Sequence, residues 1–333
     1  MGIPHFRRTM DLVATYAQIS QYRDSKEHLL YTYPVDDYSR ITDAYFRLVD
    51  SDLFYKNLYR AMKEILIICV NYNSYETLQT FMESIDYAAH KAETMCNVRV
   101  WIADNSTSKQ TIKTNIYKHL DCSYFACKNE GYIGTVEKLL KQNNWKDLHN
   151  TDYLIISNVD ISLAEDTLTQ ISAITDPLVG WIAPRIYSKC RDTEENPQAI
   201  RRYSKAKLYL LRWIYSHPII YKVYRQTIHQ LLQHHRNQQT QQHQQEIYAG
   251  NGSIFVFTKS FLNKNTPFHY PCFLYGEELF FAELVKNHKL KTIYYPNIYI
   301  ENRTPNVSTQ NLGFNKRCSY TEKAIGYILE TFY

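Results

Sequence analysis

Residues 153–163 read YLIISNVDISL, an apolar, strand-forming run that ends in Asn158-Val159-Asp160 before turning apolar again. An isolated charge in a core is costly, so an acid at that point has a cation, a hydrogen-bond donor or water beside it, or it caps the turn that follows. Farther along, YGEELFF places Glu277 and Glu278 at the start of a helical pattern. Acids there read either as ordinary first-turn residues favoured by the helix dipole or as a base kept ionised by it. Successive helix positions diverge by about 100°, so the two carboxylates do not serve the same point.

The elements around these residues have the order of an α/β protein. EILIICV (64–70) is a continuous β-branched run, as expected of a strand covered on both faces. A helix from Tyr75 follows, with Leu78, Phe81, Met82 and Ile85 on one face. NVRVWIA (97–103), SYFACK (123–128), YLIIS (153–157) and GWIAPRI (180–186) read as further strands, with helices at 135–141 and near 165–174. After an interruption the pattern resumes with GSIFVFT (252–258), a helix within 276–288, a strand at 291–296 and a helix near 320–332. Such alternation predicts a mostly parallel, Rossmann-like sheet flanked by helices, whose ligands bind beyond the carboxyl ends of the strands. Asn71, Asp104, Asn129 and Asp160 all fall at those ends.

Composition narrows the chemistry. The 333 residues are 44% hydrophobic and 21% charged, enough to bury a core, and the net charge of +5 gives no argument for nucleic acid. Seven scattered cysteines without a CxxC pair suit a reducing compartment, not a disulfide scaffold or zinc site. No segment approaches the ~18 apolar residues of a membrane span, so a cytoplasmic protein is expected, free or peripheral on the inner face of the membrane. The first strand runs into VNYNSYETL without glycine, which speaks against a dinucleotide site, and neither a Walker A loop nor a GxSxG elbow is present.

Taken in order, ILIICVNYNS, VWIADNSTS, NEGYIG, YLIISNVD, GNGSIFVF and FLYGEELFF resemble the family 2 glycosyltransferases, and their spacing is similar to that of rhamnosyltransferase-like enzymes of bacterial polysaccharide synthesis. The resemblance covers residues 64–300. It implies a GT-A fold and an inverting transfer of sugar from a nucleotide donor, a UDP- or dTDP-sugar, to a glycan or polyprenyl-linked acceptor. Carried over by position, Asn71 and Tyr72 border the base, Asp104 contacts the nucleoside, and Asn129 and Gly131 form the turn near ribose and phosphates. Asn158 and Asp160 occupy the place of the DxD signature, with Asp160 as ligand to Mg²⁺ or Mn²⁺. Glu277 and Glu278 occupy the place of a Glu-Asp pair, and Glu278 is assigned as base with Glu277 orienting the acceptor or the loop. One carboxylate suffices in principle for Mg²⁺ when phosphates and waters complete the shell. Three departures stand out: Asn158 replaces an acid, Glu278 is one methylene longer than Asp, and YIENRTPNVST lacks a histidine, leaving Asn302 or Arg303 as substitutes. The alternative is a GT-A fold that binds or scaffolds without turnover.

Outside the shared motifs, residues 1–63 read as a helical N-terminal extension, 188–247 as a helical insertion and 301–333 as a C-terminal tail and helix. Between Ala199 and Arg236 lie eight Lys/Arg and no Asp/Glu, interleaved with apolar residues. Pro218 is expected to divide this stretch into two amphipathic helices, which either contact a membrane or dock on the domain with a solvated basic face. NQQTQQHQQ (237–245) reads as a flexible tether.

Overall fold

The computed structural model describes residues 62–142, 144–226, 243–303 and 312–333. The expected N-terminal helical extension, and the glutamine-rich tract up to residue 242, lie outside them. In chain order the strands are β1 (Lys63–Asn71), β2 (Cys96–Asp104), β3 (Asp121–Ala126), β4 (Tyr153–Asn158), β5 (Ile161–Leu163), β6 (Val179–Ser188), β7 (Thr193–Glu194), β8 (Gln245–Ile247), β9 (Ile254–Thr258) and β10 (Lys291–Asn302). The helices are α1 (Tyr75–Lys91), α2 (Tyr132–Gln142), α3 (Thr167–Ser172), α4 (Lys205–Ser216), α5 (Pro218–Tyr224), α6 (Lys259–Asn265), α7 (Glu277–Asn287) and α8 (Phe314–Phe332).

The main sheet runs β3-β2-β1-β4-β9-β6-β10-β5, with β7 paired to β6 and β8 to β10. The strands β3, β2, β1 and β4 are mutually parallel, as are β6 and β10, while β9 runs antiparallel to both β4 and β6. The predicted mostly parallel sheet flanked by helices is therefore present, with the helical insertion between β7 and β8.

Strand periodicity divides the core. Ile65, Ile67 and Cys69 face α1 and its Leu78, Phe81 and Ile85, whereas Leu66 and Ile68 face the side of α2, α6 and α7, with Phe255, Phe257 and Phe281. Both faces are apolar because both are covered, which is why the strands read as unbroken hydrophobic runs.

Several boundaries differ from expectation. α2 begins at Tyr132, three residues before the predicted helix, directly after Gly131. The segment after β4 does not pass straight into a helix: Ile161–Leu163 pairs antiparallel with the end of β10, and α3 is confined to Thr167–Ser172. β10 continues beyond the predicted 296 to Asn302, carrying a register shift between Tyr295 and Tyr299 that lets it stay paired to β6. α8 starts at Phe314 and packs along α4 and α7.

Candidate active site

The carboxyl ends of β1 and β2 carry the first cluster. Asn71 and Asp104, neighbours in the parallel ladder, are both fully buried, and Asn71 Nδ2 donates to Asp104 Oδ1 at 3.2 Å. Ser106 N donates to the same oxygen at 3.0 Å, and the hydroxyls of Tyr75 and Tyr124 donate to Oδ2 at 2.7 and 2.8 Å. Burial pushes the Asp104 pKa up, but the hydrogen bonds from Ser106, Tyr75 and Tyr124 outweigh it and hold the group below its ordinary value. A carboxylate offers about four lone-pair sites, and here all four are taken from within the chain. In this arrangement Asp104 ties the ends of β1, β2 and β3 and the start of α1 together. Tyr72 is half-buried on the same edge, and its carbonyl accepts from Ser74 Oγ at 3.0 Å.

The turn 127–131 is tied to this edge by residues the sequence reading passed over. Asn105 Nδ2 donates to Asn129 Oδ1 at 3.4 Å and to Gly131 O at 3.2 Å, and Asn129 Oδ1 also accepts from Gly131 N at 3.0 Å. Lys109 Nζ clamps the carbonyls of Asp104, Ser106 and Cys127 at 2.5, 2.7 and 3.0 Å, joining the ends of β2 and β3. A lysine five residues after a strand-end acid was the available signal. Gly131 has φ +88°, and a Cβ there would stand 1.9 Å from the carbonyl oxygen of Phe273. Only glycine fits, so the start of α2 is pressed against the loop that leads into α7.

The second cluster brings the NVD segment and the glutamate pair together. Asn158 N donates to Ser253 O at 2.9 Å, and the neighbouring Gly252 N–H favours the ionised form of Glu278. The loop between β8 and β9 is the spacer between them, held by Asn196, whose Oδ1 accepts from Asn251 N at 2.7 Å. Glu277 and Glu278 open α7 behind Gly276, which has φ +80°. Burial works against the helix dipole at both glutamates. Desolvation, then repulsion from Glu278, raises the Glu277 pKa to about 8, and desolvation also raises Glu278.

Tyr132, which the sequence reading did not single out, completes this cluster. Its ring is 8% exposed and packs on Phe255, and its hydroxyl has no hydrogen-bond partner among the described residues. Burial raises its pKa far above the ordinary value, followed by the charges of Glu277, Asp160 and Glu278, which therefore all act on one phenol. It stays a neutral O–H donor.

Asp160 is buried, and its carbonyl accepts from Arg303 N at 3.2 Å. Asn302, opposite Ile161 in the ladder, keeps Nδ2 on Glu195 at 3.0 Å, and its buried Oδ1 has no hydrogen-bond partner among the described residues. The segment expected to replace the missing histidine thus lies against the NVD turn. The Arg303 guanidinium does not reach inward on its own: its Nε is bound to Glu301 at 2.8 Å. Asp160 offers a hard carboxylate oxygen of the kind Mg²⁺ or Mn²⁺ takes when a diphosphate and waters supply the further ligands. Among the described residues, the one group of three His, Cys, Asp or Glu side chains with converging ligand atoms is the exposed His90, Glu93 and His119, at the other end of the strands.

No protein-family model matches the chain. No curated protein matches it either. Among solved structures it is similar to residues 1–349 of S. aureus TarS, at 12% identity and TM-score 0.45, over 73% of this chain and 60% of that one. It is also similar to that TarS fragment in complex with UDP-GlcNAc, at 11% identity and TM-score 0.44, over 81% and 71%. GalNAc-T7 with UDP, GalNAc and Mn²⁺ is similar at 12% identity and TM-score 0.46, over 81% and 48%. The likeness spans 37% of the longer TarS chain.

Proposed function

We propose that the chain is a GT-A-fold, family 2-like glycosyltransferase of bacterial surface polysaccharide synthesis, moving a hexose with inversion from a UDP- or dTDP-sugar to a hydroxyl of a glycan or polyprenyl-linked glycan. The observation that carries this reading is the meeting, at the carboxyl ends of β1, β2 and β4, of the Asn158–Asp160 turn with the Glu277-Glu278 helix start around the buried Tyr132 hydroxyl. A proton acceptor and a divalent-cation ligand in one cleft are what transfer from a diphosphate needs, since an acceptor hydroxyl must lose a proton as a phosphate gains charge.

In this reading Glu278 takes the proton of the attacking hydroxyl. Glu277, carrying a proton at neutral pH, orients the acceptor by donating it in a hydrogen bond. Asn71 and Tyr72 border the base, while Asp104 shapes that border through Tyr75 and Tyr124. Asn129 and Gly131 present the turn beside the phosphates. Asp160 would hold Mg²⁺ or Mn²⁺, with Asn158 and Asn302 beside it, and the cation would neutralise charge on the leaving diphosphate. In this reading the catalytic region takes in the whole of β1 through β10, from Lys63 to Asn302, with the insertion 188–247 within it, the N-terminal extension before it and the C-terminal segment after it.

A second reading keeps the fold and loses the chemistry, leaving a subunit that binds or scaffolds. Asn158, an amide where the resemblance implies an acid, is the observation that favours it. Thermal stabilisation by UDP-, dTDP- and GDP-sugars, with and without Mg²⁺ or Mn²⁺, combined with a donor-turnover assay, separates the two. Metal-dependent stabilisation and turnover support the enzyme; nucleotide binding without turnover supports the second reading, and neither binding nor turnover refutes the first.

A further inference from the structure

α4 is apolar on two sides. Leu208 and Ile214 are buried, and Leu211 and Tyr215 pack toward the core, on the side that meets α8. The same side carries Arg212, whose Nε donates to Glu322 at 2.7 Å and whose guanidinium lies over Gly326 of α8. Tyr209, Leu210 and Trp213, spaced as one face of a helix, instead stand 53%, 57% and 51% exposed. The short α5 repeats the arrangement. Tyr221 stacks on Phe314 of α8, whereas Ile219 and Val223, four residues apart, are 82% and 57% exposed.

Five large apolar side chains thus project from one helical pair. A helix that packs with one face ordinarily turns a polar face outward, so a second apolar face marks a surface with a partner. The charge around it selects the partner's chemistry. Residues 199–226 hold no Asp or Glu, and Arg201, Lys222 and Arg225 are exposed along them, as are Lys205, whose Nζ donates to Tyr333 O at 2.7 Å, and Lys207, whose Nζ lies over the Tyr203 ring. The nearby acids of α8, Glu322 and Glu330, are engaged by Arg212. Trp213 and Tyr209 have the apolar body and polar tip that suit the headgroup level of a bilayer. Among the described residues no helix is long and apolar enough to cross a membrane.

We infer that the α4–α5 pair is a peripheral docking face for anionic lipid, with Tyr209, Leu210, Trp213, Ile219 and Val223 entering the interface and the surrounding lysines and arginines meeting the headgroups. The inference stands apart from the glycosyl-transfer reading, because its test needs no turnover. If both hold, the acceptor is lipid-linked and reaches the site from the surface on which the insertion rests.

The test is flotation of the full chain with phosphatidylcholine vesicles, with and without phosphatidylglycerol, at low and high salt. Co-flotation with the anionic vesicles, weakened by salt, is expected. Trp213 emission shifts to the blue on binding, and Trp213→Phe removes that shift while leaving flotation. Trp213→Glu with Ile219→Glu lowers partitioning at least about tenfold, and because both positions are exposed the thermal midpoint is unchanged. Equal flotation with neutral vesicles, or none with either, overturns the inference. So does a concentration-dependent dimer that Ile219→Glu dissociates, which makes the face an interface between copies.

Discussion

Gly252 leaves the space that the Glu278 carboxylate occupies: a Cβ at Gly252 would stand 2.7 Å from Glu278 Oε1 and 3.0 Å from its Cδ. The contact is with the movable end of a side chain, so Gly252→Ala displaces the carboxylate at little cost to the fold, about 1 kcal/mol. Turnover is expected to fall at least about tenfold while the denaturant midpoint changes little, because a base displaced from its working position loses its advantage steeply. Gly131→Ala is the contrast. Its Cβ meets the Phe273 backbone, so stability falls with activity.

Glu278→Gln keeps shape and removes the base. Turnover is expected to drop by about 10²-fold or more, with donor affinity little changed by calorimetry. In the parent chain turnover rises with pH as Glu278 ionises, and burial places that limb above the range of an exposed carboxylate. The limb disappears in the Gln variant. Near-normal turnover in Glu278→Gln with loss in Glu277→Gln reverses the two roles.

Glu277 ties stability to pH with an unusual sign for a carboxylate. Its pKa rises from 4.5 to about 8 because it is buried and faces Glu278. Between those values the folded state holds a proton that the unfolded chain releases, so this contribution is complete below pH 4.5 and is lost as pH rises through about 8. Urea midpoints measured from pH 5 to 9 are expected to fall across that window, and Glu277→Gln is expected to flatten the slope and raise the midpoint at the alkaline end.

The strands that present the site were legible because covered strands must be apolar on both faces, and the runs ending at Asn71, Asp104 and Asn158 stop where the sheet stops. What was hidden is what depends on contacts between distant segments. Asp104 reads as a free acid until Tyr75 and Tyr124, one on a helix and one on another strand, fold their hydroxyls onto it. The helix dipole is legible from the sequence at the start of α7, whereas the burial of Glu277 that opposes it is seen only in the folded chain. β5 escaped notice because three residues carry too little periodicity, and its pairing with the end of β10 is what sets Asn302 beside the NVD turn. Nothing in NEGYIG marks Tyr132 out, because both its packing on Phe255 and the burial of its hydroxyl arise from segments distant in sequence.

That hydroxyl supplies a discriminating substitution. A buried donor without a partner costs stability, so Tyr132→Phe is expected to leave thermal stability unchanged or raise it by about 1 kcal/mol. If the phenol donates to a donor phosphate or sugar oxygen, the same change weakens donor affinity or turnover about tenfold, the value of one hydrogen bond. Improved stability with undiminished turnover assigns the hydroxyl to packing alone.

Asp160 is the residue on which the cation's role turns. It is buried at a strand-to-turn junction, its carbonyl is tied to Arg303, and the buried Asn302 oxygen lies on the adjoining strand. A single carboxylate binds Mg²⁺ weakly by itself, so the ion is expected to arrive with the nucleotide and each to strengthen the other's binding. Titration of Mn²⁺ followed by its paramagnetic relaxation should therefore show weak binding to the free chain and tighter binding once UDP or dTDP is present. Asp160→Ala is expected to abolish that enhancement and the transfer, while the circular dichroism and thermal midpoint stay near those of the parent chain. Asn302→Ala, which removes the amide oxygen but keeps the carboxylate, should weaken the enhancement and leave part of the turnover. Full activity in EDTA, or in Asp160→Ala, removes the cation from the reaction.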